Sequence, residues 1–153
     1  MKKFVAVLLA AMLCLSFAAC GGDKATDKTV DAAAMFQALL TDVTYTDNAT
    51  ELDSSMAGVL LGGELPEGTE AHLAANDSAY LRCAVFACKD KDAAAAVKKL
   101  IQTYIDDSID AKYNVDEVAL LQNAKIHSMG NYVAVAVTSD TDNVNKVIDQ
   151  YFA

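Results

Sequence analysis

Positive charge is scarce in this chain of 153 residues. Twelve lysines and arginines face 21 aspartates and glutamates, which gives a formal net charge of −9 at pH 7. Arg82 is the only arginine, and Lys98-Lys99 is the only basic pair after the first three residues. Because an acidic surface repels phosphates and anionic headgroups, we exclude nucleic acid as a partner and an electrostatic grip on membranes.

Motifs for phosphate loops, dinucleotide folds, zinc proteases and serine hydrolases are absent from the sequence. His72 and His127 are the only histidines, and they could meet if their strands were neighbours. Without a placed carboxylate we interpret them as two ordinary strand histidines. The run from Asp140 to Asn143 resembles the start of a calcium loop, but Val144 breaks that pattern and favours a helix cap. We predict no metal and no cofactor.

Cysteine is also sparse, with four residues in the chain. Cys83 and Cys88 fall on one predicted strand, where five residues span roughly 16 Å and an odd spacing gives opposite faces. A disulfide needs Cα atoms within about 7 Å, so these two cannot pair there. We expect both to be free thiols that fill the core.

The first twenty residues have the three-part layout of a secretory signal. Lys2 and Lys3 are positive, residues 4–17 are almost wholly apolar, and Ala18-Ala19 precede Cys20. A retained membrane helix is the alternative, although the run is shorter than the roughly 20 residues that a spanning helix needs.

Residues 17–20, Phe-Ala-Ala-Cys, resemble the bacterial lipobox, with Phe17 in place of the usual leucine. The resemblance implies that the Cys20 thiol receives a diacylglyceryl group and that cleavage leaves Cys20 as the first residue. An ordinary peptidase site is the alternative. Two acyl chains anchor a protein stably, so we predict a location on the extracytoplasmic side of the cell membrane. The expected divisions are a lipoprotein signal peptide (1–19), the lipidated cysteine and tether (20–28), and a single α+β domain (29–153).

Hydrophobic periodicity predicts helices and two hairpins within that domain. On the second strand we expect Leu81, Cys83 and Val85 to share one face, and Arg82, Ala84 and Phe86 the other. The order of the predicted helices and hairpins along the chain favours an α+β fold. This fold would be a mainly antiparallel sheet formed by two hairpins, with helices packed on one face. The predicted elements are a helix over 30–42 capped by Thr29, a short helix or buried turn over 56–61, strands over 70–75 and 79–88, a helix over 91–109 capped by Asp90, a helix over 115–122 with a capping box from Asn114 to Glu117, strands over 125–128 and 131–138, and a last helix that starts at 139–142.

Residues 79–138 resemble the bacterial lipoprotein family known as domain of unknown function 4358. The shared pattern is a strand that ends near Lys89-Asp90, a long helix, Tyr113 followed by the acids Asp116 and Glu117, and the strand start Gly130-Asn131-Tyr132-Val133. The resemblance implies a lipid anchor and an extracytoplasmic location. It implies no activity and no catalytic residues.

Residues 45–68, which we call the irregular segment, are the best candidate for a recognition surface, because loops on a rigid scaffold often carry function. Tyr113 and Tyr132 are either exposed aromatic contacts or buried sheet-edge tyrosines. Three acids near the end of the long helix oppose its dipole and could meet a cation, a basic partner or only solvent. The candidate surface comprises Glu64, Glu67, Glu70, Tyr113 and Tyr132, and the helix acids are Asp106, Asp107 and Asp110.

We therefore predict a lipid-anchored extracytoplasmic lipoprotein that serves as a binding or adaptor module of the cell envelope. Its expected partners are the membrane, through the lipid on Cys20, and another envelope protein or a small ligand. An extracytoplasmic hydrolase that uses carboxylates such as Glu64, Glu67 or Glu70 as acid and base is the alternative. A structural subunit that works only within a complex, with its exposed sheet face or edge covered by a partner, is the third hypothesis.

Overall fold

The computed structural model describes residues 29–111 and 114–153. The predicted signal peptide, Cys20 with its tether, and Tyr113 lie outside the described residues. The elements in chain order are α1 (Ala32–Asp42), β1 (Thr50–Leu52), α2 (Met56–Leu61), β2 (Glu70–Ala75), β3 (Leu81–Ala87), α3 (Lys91–Ala111), α4 (Val115–Asn123), β4 (Lys125–Met129), β5 (Tyr132–Ala136) and α5 (Thr141–Phe152).

The α+β class and the antiparallel sheet are confirmed. Five strands pair in the order β1-β2-β3-β5-β4, and every pair is antiparallel. The two predicted hairpins form β2-β3 and β4-β5, and β5 joins them by pairing with β3. Strand β1 was not predicted, because three residues are too few to show an alternating pattern.

The prediction that the helices pack on one face is wrong, since helices cover both faces of the sheet. Helices α2, α3 and α4 pack with Val133, Val135 and Val137, whereas α1 and α5 pack with Ala134 and Ala136. All five residues of β5 are buried. The residues between the valines of β5 are small alanines, and their weak hydrophobicity did not indicate that the second face of the strand is also buried.

A β-bulge at Arg82 changes the faces predicted for β3. Ala74 pairs with Cys83 and Ala75 pairs with Leu81, so Arg82 is the extra residue opposite β2. A bulge bends its strand and shifts the side-chain alternation. Leu81 consequently packs in the α3 cluster, not with Cys83 as predicted.

Short polar side chains cap three of the helices. Asp31 caps α1, accepting a hydrogen bond from Ala34 N, so Thr29 is not the cap. Asp90 accepts from Ala93 N at 2.8 Å, as predicted for α3. Asn114 accepts from the amides of Asp116 and Glu117. These bonds satisfy amides that have no partner inside the helix.

The two described cysteines are free and buried, as predicted. Cys83 lies in the cluster beneath α1 and α5, and Cys88 lies in the cluster beneath α3. Their opposite faces follow from the odd spacing along one strand.

Among the helices that the structure describes, none combines the length and the apolar character needed to cross a membrane.

Candidate functional site

A buried guanidinium joins three distant parts of the chain. Arg82 is 1% exposed, and it pairs with Glu117 of α4 and with Asp47 of the loop after α1. Its Nη1 and Nη2 donate to the two Glu117 oxygens at 2.8 Å each. Its Nε and Nη2 donate to the Asp47 oxygens at 2.6 and 2.9 Å. We call Asp47, Arg82 and Glu117 the arginine network.

The arginine network is a structural element, because Arg82 has no donor left for a ligand. Arginine carries five N–H groups, and Nη1 uses its remaining one on the carbonyl of Leu81 at 3.2 Å. Hydrogen bonds from Arg82 lower the pKa of Asp47 from 3.8 to about 2. The network therefore holds the loop after α1 and the start of α4 onto β3.

Sequence reasoning missed the arginine network. It assigned Glu117 to a capping box, in which the glutamate reaches back to the cap residue. The structure confirms the Asn114 half of that motif, but the Glu117 carboxylate bonds to Arg82 instead. The sequence did contain one indication of this network, because the only arginine of the chain lies within an otherwise apolar strand. A buried charge requires partners, so such an arginine indicates a buried ion pair.

A shallow, open cleft of about 280 Å³ lies between α2 and the second half of α3. We call it the helix cleft. Leu60, Leu61 and Tyr104 give it apolar walls, and Asp107 and Ser108 supply a carboxylate and a hydroxyl. The described residues that line it are Leu60, Leu61, Gly62, Tyr104, Asp107, Ser108 and Ala111.

Two glycines that follow α2 shape this wall of the helix cleft. Gly62 ends α2 with φ +71°, a left-handed conformation that favours glycine. A Cβ on Gly63 would lie 2.6 Å from Leu100 Cδ2, so a larger residue there would require the Leu100 side chain to move. The hydroxyl of Tyr104 accepts from Leu81 N at 3.0 Å, which fixes that wall of the cleft to β3.

Exposed apolar side chains lie on α2 beside the helix cleft. Val59 is 73% exposed and Met56 is 42% exposed, although α2 has only six residues. The irregular segment therefore contains both one wall of the cleft and two exposed apolar side chains. Its role in recognition stays a prediction, and apart from the helix acid Asp107 the residues at the cleft differ from those chosen by sequence.

The predicted surface residues do not come together at the helix cleft. Glu64 and Glu67 are in the loop before β2, and Glu70 begins β2, where its Oε1 lies 2.8 Å from His72 Nε2. None of the three lines the helix cleft. Tyr132 is buried at 9% exposure beneath α5, on an inner strand, so it is not an exposed contact.

The two histidines do not meet. His72 and His127 lie in one cross-strand row, separated by Val85 and Ala134. Three strand spacings put them about 14 Å apart, and His72 stacks on Phe36 instead, with ring centroids 5.8 Å apart. No group of three or more potential metal ligands occurs within residues 29–111 and 114–153.

The remaining acidic motifs have separate roles. Asp107 lines the helix cleft, Asp106 accepts from Gln102, and Asp110 is exposed. Asp140 precedes α5, where its Oδ2 accepts from Thr44 N at 2.9 Å, so it ties two loops together.

One family model matches the chain over residues 70–138, and its description is "Domain of unknown function (DUF4358)". The matched stretch runs from β2 to just beyond β5, so it includes Arg82, Glu117 and α3 but leaves out Asp47 and α2. No curated protein and no solved structure matches the chain. The predicted resemblance to the domain of unknown function 4358 is thereby confirmed over residues 70–138.

Proposed function

We propose that this chain is a lipid-anchored extracytoplasmic binding or adaptor module of the cell envelope. The helix cleft, with the exposed apolar side chains of α2 beside it, is the observation that carries the proposal. Its location in the irregular segment is in line with the general use of loops on a rigid scaffold for recognition.

The chemistry of the helix cleft suits an apolar group with one polar end. Leu60 and Tyr104 offer apolar surface, while Asp107 and Ser108 offer an acceptor and a hydroxyl. Sites that combine apolar walls with a few placed polar groups are typical of ligand binding. Val59 extends the apolar area onto open surface, as expected where a protein partner covers a helix.

The hydrolase alternative receives less support from this geometry. Acid–base hydrolysis of the kind considered needs two carboxyls that face one cleft. Among the described residues that line the helix cleft, Asp107 is the single carboxyl. Glu64, Glu67 and Glu70, the candidate acids, lie outside it.

The proposed anchor is tested by fractionation and mass spectrometry. We expect the full-length chain to sediment with membranes and its first tryptic peptide to begin at a diacylated Cys20. Cys20→Ala should release the protein from membranes or block its processing. An unmodified Cys20 in a membrane-free protein would rule out the anchor without affecting the binding proposal.

The proposed binding role is tested by photo-crosslinking in native membranes. A photoreactive residue replaces Val59 beside the cleft or, as the control, the exposed Asn145 of α5 on the opposite face. We expect a specific adduct from position 59 and none from position 145. Ala111→Arg should abolish that adduct by obstructing the cleft, because Ala111 is exposed and a cation near a helix C-terminus is tolerated. Equal labelling at both positions, or no effect of Ala111→Arg, would refute the role of the helix cleft.

A further inference from the structure

A second cleft, of about 240 Å³, lies between the first half of α3 and the β4-β5 hairpin. We call it the lysine cleft, and it shares no residue with the helix cleft. Its lining is Lys91, Ala94, Ala95, Lys98, Ser128 and Gly130.

The lysine cleft brings two positive charges together in an acidic protein. Lys91 and Lys98 are seven residues apart, which is two helical turns, so both project from the same side of α3 toward β4. Within the described residues neither lysine forms an ion pair. The neighbouring acids Asp90 and Asp92 do not line the cleft, and Asp90 is engaged with Ala93 N.

The fold keeps this cleft open and gives it a polar wall. Ala94 and Ala95 leave space on the α3 side, where larger side chains would fill it. Ser128 pairs with Val133, whose side chain lies in the cluster beneath α3, so the hydroxyl of Ser128 is on the α3 side of the sheet. Gly130 has φ +58° and forms the hairpin turn at the mouth of the cleft.

We propose that the lysine cleft binds a compact anion that carries two phosphate or carboxylate groups. Two ammonium groups on flexible stems can each meet one anionic group, and the Ser128 hydroxyl can donate a further hydrogen bond. The volume lies below the roughly 300–1,000 Å³ of sites for drug-sized ligands, which excludes a large ligand from full burial. Because the two lysines lie two helical turns apart, an anion with two charged groups fits the cleft better than the single phosphate of a simple lipid headgroup, so a free anion is favoured.

The test uses the full-length chain in neutral detergent, with inorganic pyrophosphate as the probe. Titration calorimetry and the amide shifts of Ser128 and Gly130 report binding. Lys91→Gln with Lys98→Gln removes the two cleft charges. The matched control, Lys89→Gln with Lys99→Gln, removes the same charge from exposed lysines outside the cleft. Ala95→Leu fills the cleft without changing the charge.

We expect saturable binding that weakens about tenfold or more in the cleft pair, because each lost hydrogen bond to a charged group contributes about that factor. The control pair should change the affinity by less than about twofold, the scale of a screened surface charge. Ala95→Leu should also weaken binding. Absence of saturable binding, or equal weakening by the two lysine pairs, would overturn the proposal. Since all four lysines are exposed, melting curves of every lysine variant should match the parent.

A second arm identifies the source of the anion. Monomeric short-chain phosphatidylglycerol presents a lipid phosphate without a bilayer. If it binds more tightly than pyrophosphate through the same two lysines, the site recognises a headgroup, which overturns the assignment to a free anion. If pyrophosphate binds more tightly, the site recognises a free anion as proposed.

Discussion

Replacing Arg82 with methionine should lower the free energy of unfolding by about 3–5 kcal/mol, the usual effect of removing one partner of a buried ion pair. Arg82 is 1% exposed and the Glu117 side chain is 8% exposed. The substitution therefore leaves the Glu117 carboxylate buried without its two 2.8 Å bonds. Small domains have about 5–15 kcal/mol of stability in total, so this loss would be a large fraction of it.

The two carboxylates of the arginine network should differ in effect. Glu117→Gln leaves Arg82 partly unpaired inside the protein, whereas Asp47→Asn acts at a side chain that is 40% exposed. We expect Asp47→Asn to cost about 1 kcal/mol or less, as for pairs near the surface. Combining Arg82→Met with Glu117→Leu should recover much of the loss, because no buried charge then remains without a partner.

Urea unfolding followed by circular dichroism measures these differences, provided the m-value is unchanged. Asp116→Asn is the matched control, because it removes an exposed acid from the same first turn of α4 and leaves Arg82 untouched. The reasoning fails if Glu117→Gln costs no more than Asp116→Asn. It also fails if the double substitution is no more stable than Arg82→Met alone.

Three further predictions concern single groups in the fold. The pKa of Asp47 is lowered from 3.8 to about 2. Its contribution to stability is therefore complete above about pH 4 and is lost as the pH falls toward 2. In an acid titration, the free energy of unfolding of Asp47→Asn should decline less steeply over this range than that of the parent. Burial raises the pKa of the Cys83 thiol to about 11. Iodoacetamide at pH 8 should therefore leave Cys83 unmodified in the folded protein and alkylate it in urea. Rapid alkylation without urea would contradict its burial. Gly58→Ala should lower the melting temperature although alanine is the better helix former, because the new Cβ would lie 2.9 Å from the carbonyl oxygen of Gly63. The control Val59→Ala, on the exposed side of α2, should leave the melting temperature nearly unchanged.

Local sequence patterns determined most of the elements. The alternation over 70–75 predicts β2 with its observed bounds, and the stripe after Asp90 predicts α3 to within two residues of its end. The Asp90 and Asn114 caps were also predicted, because a cap depends on residues only two or three positions away. The acidic composition is likewise a property of the residue counts alone.

The candidate site could be predicted only in part. The sequence points to the irregular segment as a region, and it marks Asp107 as one of three unusual acids. Neither observation predicts that α2 and α3 form a cleft, because their packing brings together residues such as Gly63 and Leu100 that are 37 positions apart in sequence. The acids of the loop before β2 stand out by charge, yet they lie outside the cleft.

The sequence by itself determined where most strands and helices form and which residues cap α3 and α4, since these depend on periodicity and on neighbours within one or two turns. Only the tertiary structure decided which faces are covered and which charges meet. Arg82 lies 35 residues from both Asp47 and Glu117, and its bulge reverses the face of Leu81. The type of an apolar or charged residue indicates that it must be covered or paired when buried. Which residue covers or pairs with it depends on the packing of elements that are distant in sequence.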